Sequence, residues 1–256
     1  MTYVYWLAAL SAAFGVFERI RPRRAQSVLR RGIATDLFYL VFNGHFLGVG
    51  LAVLSTPLIA RLDATLVDAG WHGALYAGVA HELPGWLQFT IALLVIDLFH
   101  WSIHNMLHRV PWLWEFHKVH HSIETMDWIG SLRFHWMEVV VYKTLTYPLL
   151  AWFGFDGSVI MALAVVGTAV GHFNHSNLAV SIGPLKYLLN SPAMHVWHHT
   201  HPDVGPPLRN FGITLSLWDW LFGTAHLPME PPDRLGFDGI DAFPRTVPGQ
   251  MLYPVP

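Results

Sequence analysis

The stretch LFYLVFNGHFLGVGLAVLSTPLIA, Leu37–Ala60, contains no Asp, Glu, Lys or Arg. A helix needs about 20 mostly apolar residues to cross a bilayer, so this run reads as a membrane helix. Working outward, Met1–Phe17 is also uncharged but marginal in length. It is followed by arginines at 19, 21, 23, 24, 30 and 31. A cleaved signal peptide wants positive charge before its apolar core, not after it, so this segment reads as a retained helix. Downstream, Leu83–Ile103 is broken only by Asp97. Two further apolar stretches, Val139–Phe155 and Gly157–Phe173, are separated by Asp156-Gly157, which reads as the turn of a helical hairpin. Strand signals are weak. The expected fold is an all-α, polytopic membrane protein with about four to five membrane helices or half-spans.

Composition agrees. Of 256 residues, 53% are hydrophobic and 12% charged, about half the charge of an ordinary soluble domain. Abundant aromatic and aliphatic residues exclude disorder. The absence of cysteine excludes a disulfide scaffold, thiolate zinc, an iron–sulfur cluster and a cysteine nucleophile. A net charge of −2 offers no general surface for nucleic acid. Lys and Arg collect on the cytoplasmic side, so the arginine cluster predicts that side for residues near 18–31. Counting spans from there, 61–82, with Asp63, Asp68, His72, His81 and Glu82, falls on the opposite side. Residues 83–103 return, and the 139–173 hairpin leaves and comes back. The histidines of 104–135 and from 172 onward then share one face, the cytoplasmic one, as a helical cap.

Histidine is the unusual residue: 17, against 15 Lys plus Arg, and 13 of them lie between 100 and 201. His100, His104 and His108 repeat at i, i+4, i+8, one face of a helix. His117, His120 and His121 form H-x-x-H-H, His172 and His175 are at i, i+3, and His195, His198 and His199 form a second H-x-x-H-H. Neutral imidazole is the commonest metal ligand. Burying about ten such rings for packing alone would leave a large desolvation cost uncompensated. Four to six ligands saturate one first-row ion, so nine or ten suggest two. Imidazole suits iron, zinc, copper and nickel alike. Carboxylate bundles built on E-x-x-H pairs are excluded, since none lies beside these histidines. His100 and His201 read as neighbours of the set, and His45, His72, His81 and His226 as residues outside it.

From Asp97, DLFHWSIHNMLHRVPWLWEFHKVHHS resembles the first half of the fatty acid hydroxylase/sterol desaturase superfamily. Further blocks follow in order: RFHWME (133–138), HFNHSN (172–177), SPAMHVWHH (191–199) and NFGITLSLWDWLFGT (210–224). The resemblance divides the chain into N-terminal membrane helices (1–96), a catalytic region (97–224) and an extended cytoplasmic tail (225–256). It implies a histidine-held dimetal centre at the cytosolic face that uses O2 to hydroxylate or desaturate a lipid. Two iron ions are implied, with zinc able to replace them in purified protein. The implied ligands are His104, His108, His117, His120, His121, His172, His175, His195, His198 and His199. Trp136 stands where relatives carry Pro, Asn105 where Arg is common, and His100 where Tyr is usual. These departures leave His135 between two roles, a possible ligand or, preferred, a residue that supports the centre.

Carboxylates that accept the outer ring N–H fix the tautomer of a metal-bound histidine. Glu138 and Asp219 are the main candidates, with Asp97, Glu115, Glu124 and Asp203 also near the motifs; Asp219 sits in the apolar run LSLWDWLFG, where an unpaired carboxylate would be costly. The lead expectation is a membrane lipid oxygenase. A membrane metal-ion transporter, whose sites lie mid-membrane on broken helices, and a zinc-dependent membrane hydrolase with metal-activated water are the alternatives. No flavin, nicotinamide or cytochrome-like segment is present, so a separate electron donor is expected.

Overall fold

The computed structural model describes residues 2–71 and 73–255; the expectation for His72 lies outside them. Among the described residues there is no strand, only isolated bridges pairing Pro22 with Leu178 and Thr200 with Leu235. Helix α1 spans Tyr3–Ile20. Helix α2 (Ile33–Val41) passes through a π-helical turn, Phe42–Phe46, into α3 (Leu47–Asp68). The apolar rod is thus longer at both ends than its charge-free run. Helix α4 is Gly85–Arg109, α5 Pro111–His121, α6 Trp136–Phe153 and α7 Gly157–His175. Short helices α8 (Pro192–His198), α9 (Leu217–Leu221) and α10 (Val247–Leu252) follow.

Three segments are long and apolar enough to cross a membrane: Ile33–Asp68, Gly85–Arg109 and Gly157–His175. Val53, Leu54, Leu58 and Ile59 on α3 are exposed, a cost in water that vanishes against lipid tails. The chain is an integral membrane protein. Helix α6 joins α4 and α7 through Ala92, Ile96, Leu150 and Val159. Helix α1 is held to α2 through Leu7, Leu40 and Ile129 and packs along α7.

Two chain breaks set the site. A residue before proline avoids the α region, and proline is favoured at a helix's first position. Val110 is accordingly extended (φ −96°, ψ 113°), α4 stops at Arg109 and α5 restarts at Pro111. His104 and His108 on α4 are thereby folded toward His117, His120 and His121 on α5. The hairpin between α6 and α7 turns at Gly154, slightly before the expected Asp156-Gly157. Gly154 takes the left-handed conformation (φ 79°) that glycine adopts without strain, and Gly157 opens α7.

The arginine cluster is not all surface. Arg30 is buried, pairing with Asp36 at 2.7 Å and Asp127 at 2.6 Å, and Arg133 shares Asp36 at 2.5 Å. The tail after 225 lacks periodicity, as read, yet packs back on the helices. Phe237, Ile240 and Phe243 form a buried cluster with Tyr39 of α2 and Val119 of α5. Three apolar anchors on an irregular segment leave no helical period in the sequence.

Candidate metal centre

Nine of the ten expected ligands meet at the ends of α4, α5, α7 and α8, in two groups. His104, His108, His117, His121 and His198 form one; His120, His175, His195 and His199 form the other. Within each, one nitrogen per ring lies within 4.8 Å of all the rest. Each H-x-x-H-H motif divides between the groups, so α5 and α8 each serve both. The groups touch where the His121 and His199 rings stack, their centroids 4.4 Å apart.

The rings face inward through Nε2. His104 lies 3.1 Å from His117, and His198 lies 3.2 Å from His108 and 3.1 Å from His121. In the second group His175 is 3.3 Å from His120 and 3.2 Å from His195, and His195 is 3.2 Å from His199. Several outer nitrogens are committed elsewhere as donors. His104 Nδ1–H donates to Phe211 O (2.8 Å), His120 to Arg133 O (3.0 Å), His175 to Gly171 O (3.0 Å) and His198 to Arg209 O (2.8 Å). His117 Nδ1–H donates to Glu138 Oε2 at 2.6 Å. A ring protonated at Nδ1 presents a bare lone pair at Nε2. Lone pairs packed at 3.1–3.3 Å repel unless a cation sits among them.

The spacing itself fits metal ions. With metal–nitrogen bonds of about 2.0–2.1 Å, neighbouring ligands lie about 2.9 Å apart in an octahedron and about 3.3 Å apart in a tetrahedron. The observed contacts fall between these limits. Among the described residues no carboxylate oxygen belongs to either group, so a bound ion would keep most of its positive charge. Burial, then neighbouring imidazoles and for His120 and His198 partly offset by their carbonyl bonds, pushes His117, His120, His121, His195, His198 and His199 well below the usual histidine range. At neutral pH they are uncharged, the state a metal requires.

The remaining expected residues fall as follows. His172 joins neither group: its Nδ1 faces Ser131 Oγ at 2.7 Å and its Nε2 faces Ser11 Oγ at 3.4 Å. A step of three residues rotates about 60° short of a full turn, which aims His172 at α1 rather than at His175's partners. His135 caps α6, accepting from Met137 N–H at Nδ1 and donating from Nε2 to Met251 O. Its hydrogen bonds reach no cluster ring. Glu138 holds His117 directly. Asp219 acts one step further out. It accepts from Trp101 Nε1, Phe211 N, Gly212 N and Thr224 Oγ1 at 2.6–3.0 Å, fixing the loop whose Phe211 carbonyl holds His104. Asp97 does the same for that loop's next turn through Thr214 N, Leu215 N and Trp218 Nε1.

Glu115, Glu124 and Asp203 instead pair with Lys118, Arg245 and Arg234. His100 bonds Thr146 Oγ1, and His201 faces exposed Asp203 and Asp238. Sequence reasoning missed the carbonyl acceptors of Arg133, Arg209 and Phe211, since a backbone oxygen leaves no residue signature.

A cavity of about 890 Å³ leads from the centre into the membrane region between α1, α3, α6 and α7. His104, His117, His120, His175 and His195 line one end, and Ala52, Gly157 and Met161 lie toward the other. From His175 back to Gly157, α7 rises about 27 Å. The walls are mostly apolar, and Gly48, Ala164, Gly167 and Gly171 leave room between the helices.

A family model described as fatty acid hydroxylase matches residues 89–224. Ornithine lipid hydroxylase from Rhizobium tropici is 29% identical over 86% of this chain and 66% of its own length. Alkylglycerol monooxygenase from Xenopus tropicalis is 29% identical over 68% of this chain and 40% of its own. A very-long-chain aldehyde decarbonylase from Oryza sativa subsp. indica is 26% identical over 59% and 26%. The chain thus spans two thirds or less of each relative. No solved structure matches. With more than half its length under the family model and the histidine blocks assembled in space, the chain belongs to the fatty acid hydroxylase family.

Proposed function

We propose that the protein is a membrane-bound lipid oxygenase that hydroxylates or desaturates its substrate at a centre of two iron ions, with O2 as co-substrate. The observation that carries this reading is the junction of two all-nitrogen histidine groups with a long apolar cavity. The names of the relatives, hydroxylase and monooxygenase acting on lipids, support the same chemistry. When bound, the ions would supply the redox chemistry that takes two electrons from a donor and splits O2 between the substrate and water; in desaturation both oxygen atoms leave as water.

This chain's own residues do the rest. The apolar walls align a hydrocarbon chain and exclude water from its reacting end. Carbonyls and Glu138 hold the rings so that their lone pairs converge without reorganisation. The histidine groups sit at helix ends rather than mid-helix, which speaks against a transporter's central site. Their number leaves little of the open coordination a hydrolytic zinc site uses. The catalytic face is assigned to the cytoplasm from the arginines near 19–31. Electrons come from a separate partner.

Metal content and O2 uptake test this together. Protein purified without chelator and loaded with iron should hold two ions per chain and consume O2 when given a reductant and membrane lipid. One ion or none, with no O2 consumption, would refute it. Zinc in the purified protein would not, since nitrogen sites bind zinc readily.

A further inference from the structure

The cavity wall carries one Lys and no Arg, Asp or Glu. That Lys143 lies within α6, well inside the helix. Among the described residues it has no ion pair and no hydrogen bond; the Tyr147 ring centroid lies 5.8 Å from Nζ. Asp97 lines an adjoining cavity of about 180 Å³ that Lys143 also borders. Both Asp97 oxygens, however, are taken by Thr214 N, Leu215 N and Trp218 Nε1. A half-buried lysine facing an apolar cavity without a counter-charge is expensive to desolvate, which marks it as a functional candidate.

The opposite wall is cut to fit it. A Cβ added to Gly48 would lie 2.9 Å from Lys143 Nζ, with nothing else in reach. Glycine in α3 weakens a helix, and here its missing side chain is the space the ammonium occupies. His45, one turn earlier, lines the same wall.

We propose that Lys143 is a specificity residue that anchors an acidic group of the lipid substrate, a carboxylate or a phosphate. The proposal rests on the oxygenase reading of the same cavity and adds the class of lipid. Lys143 follows Glu138, which holds His117, by five residues, about 7.5 Å of helix rise. An acid held at Lys143 therefore presents carbons near its head, rather than its tail, to the histidine groups.

The test is a binding measurement on the full chain in nanodiscs of neutral lipid, with palmitic acid, methyl palmitate and hexadecyl phosphate as probes. The wild type should bind one or both anions more tightly than the ester. Preference for palmitate alone identifies a carboxylate, and for the phosphate alone a phosphate. Lys143→Met should abolish the preference, a loss of roughly 10- to 100-fold in anion affinity, as for one charged hydrogen bond. Lys143→Arg should retain it, and Gly48→Ala, which crowds the ammonium, should reduce it.

Equal binding of acid and ester by the wild type would overturn the proposal. So would an anion preference that survives in Lys143→Met, or a loss that falls on all three probes alike, which would mark Lys143 as packing. Because binding is read without turnover, the two readings separate. An anion preference in a protein that oxidises no lipid leaves the anchor and removes the oxygenase. Lipid oxidation without the preference does the reverse.

Discussion

Replacing Glu138 tests how the centre is held. Its carboxylate accepts the Nδ1–H of His117 at 2.6 Å, and the two side chains are 1% and 2% exposed. Glu138→Leu removes the acceptor and leaves a buried N–H unpaired, which costs about 1–3 kcal/mol. If that cost falls on the metal-competent orientation of His117, affinity drops about 5- to 150-fold. Glu138→Gln keeps an oxygen acceptor but loses the charge, which contributes roughly half the strength of such a bond; about 2- to 12-fold is expected. The loss should fall on one ion of two, because His117 belongs only to the group with His104, His108, His121 and His198. Chelator-stripped protein titrated with Zn²⁺ against a competing dye reads both sites, and a thermal melt checks folding. Wild-type affinity in Glu138→Leu, or equal weakening of both sites in a folded variant, would refute the orienting role.

Three further outcomes follow from the same geometry. His172→Ala should keep both ions, since that ring binds Ser131 outside the groups; metal analysis showing one lost ion would return it to the ligand set. Asp219→Ala strands four buried donors at about 1–3 kcal/mol each, so even the lower limit is a large part of a usual stability of about 5–15 kcal/mol; a melting temperature equal to wild type would contradict this. The α5 and α8 histidines have folded-state pKa values depressed below the usual 6.5 by burial, so the unfolded chain takes up protons first as pH falls. Metal-free protein should hold its stability above about pH 6.5 and lose it progressively below. A melting temperature unchanged between about pH 7.5 and 5 would show that these rings already titrate normally in the fold.

The parts legible in sequence were those written in local periodicity. The uncharged run at 37–60 and the i, i+4 histidines of α4 each announce a helix and a face, because helix geometry relates near neighbours directly. The division of nine rings into five and four was not legible. It depends on how α5 and α8, far apart in sequence, present their rings to one another, and each H-x-x-H-H motif contributes to both groups. His172 looked like His175's partner because i, i+3 spacing nominates a shared face, but the residual rotation sends it to Ser131. Asp219 was recognisable as a buried acid with a task, whereas two of its partners, the N–H groups of Phe211 and Gly212, are backbone and carry no residue signature, and a third, Trp101, lies on α4, far away in sequence. The tail hid its packing because Phe237, Ile240 and Phe243 anchor an irregular segment.

If the two histidine groups activate O2 to oxidise a lipid in the adjoining cavity, that oxidation is readable in the membrane lipids. Its most direct test is mass spectrometry of lipids from cells expressing the wild type or His120→Ala, grown under ordinary and heavy-isotope oxygen. The wild type should yield a lipid product that gains the mass of one oxygen atom and becomes heavier under the labelled gas, or one that loses two hydrogens. Neither product should appear with His120→Ala at equal membrane content. Identical lipid profiles for wild type and His120→Ala would contradict it.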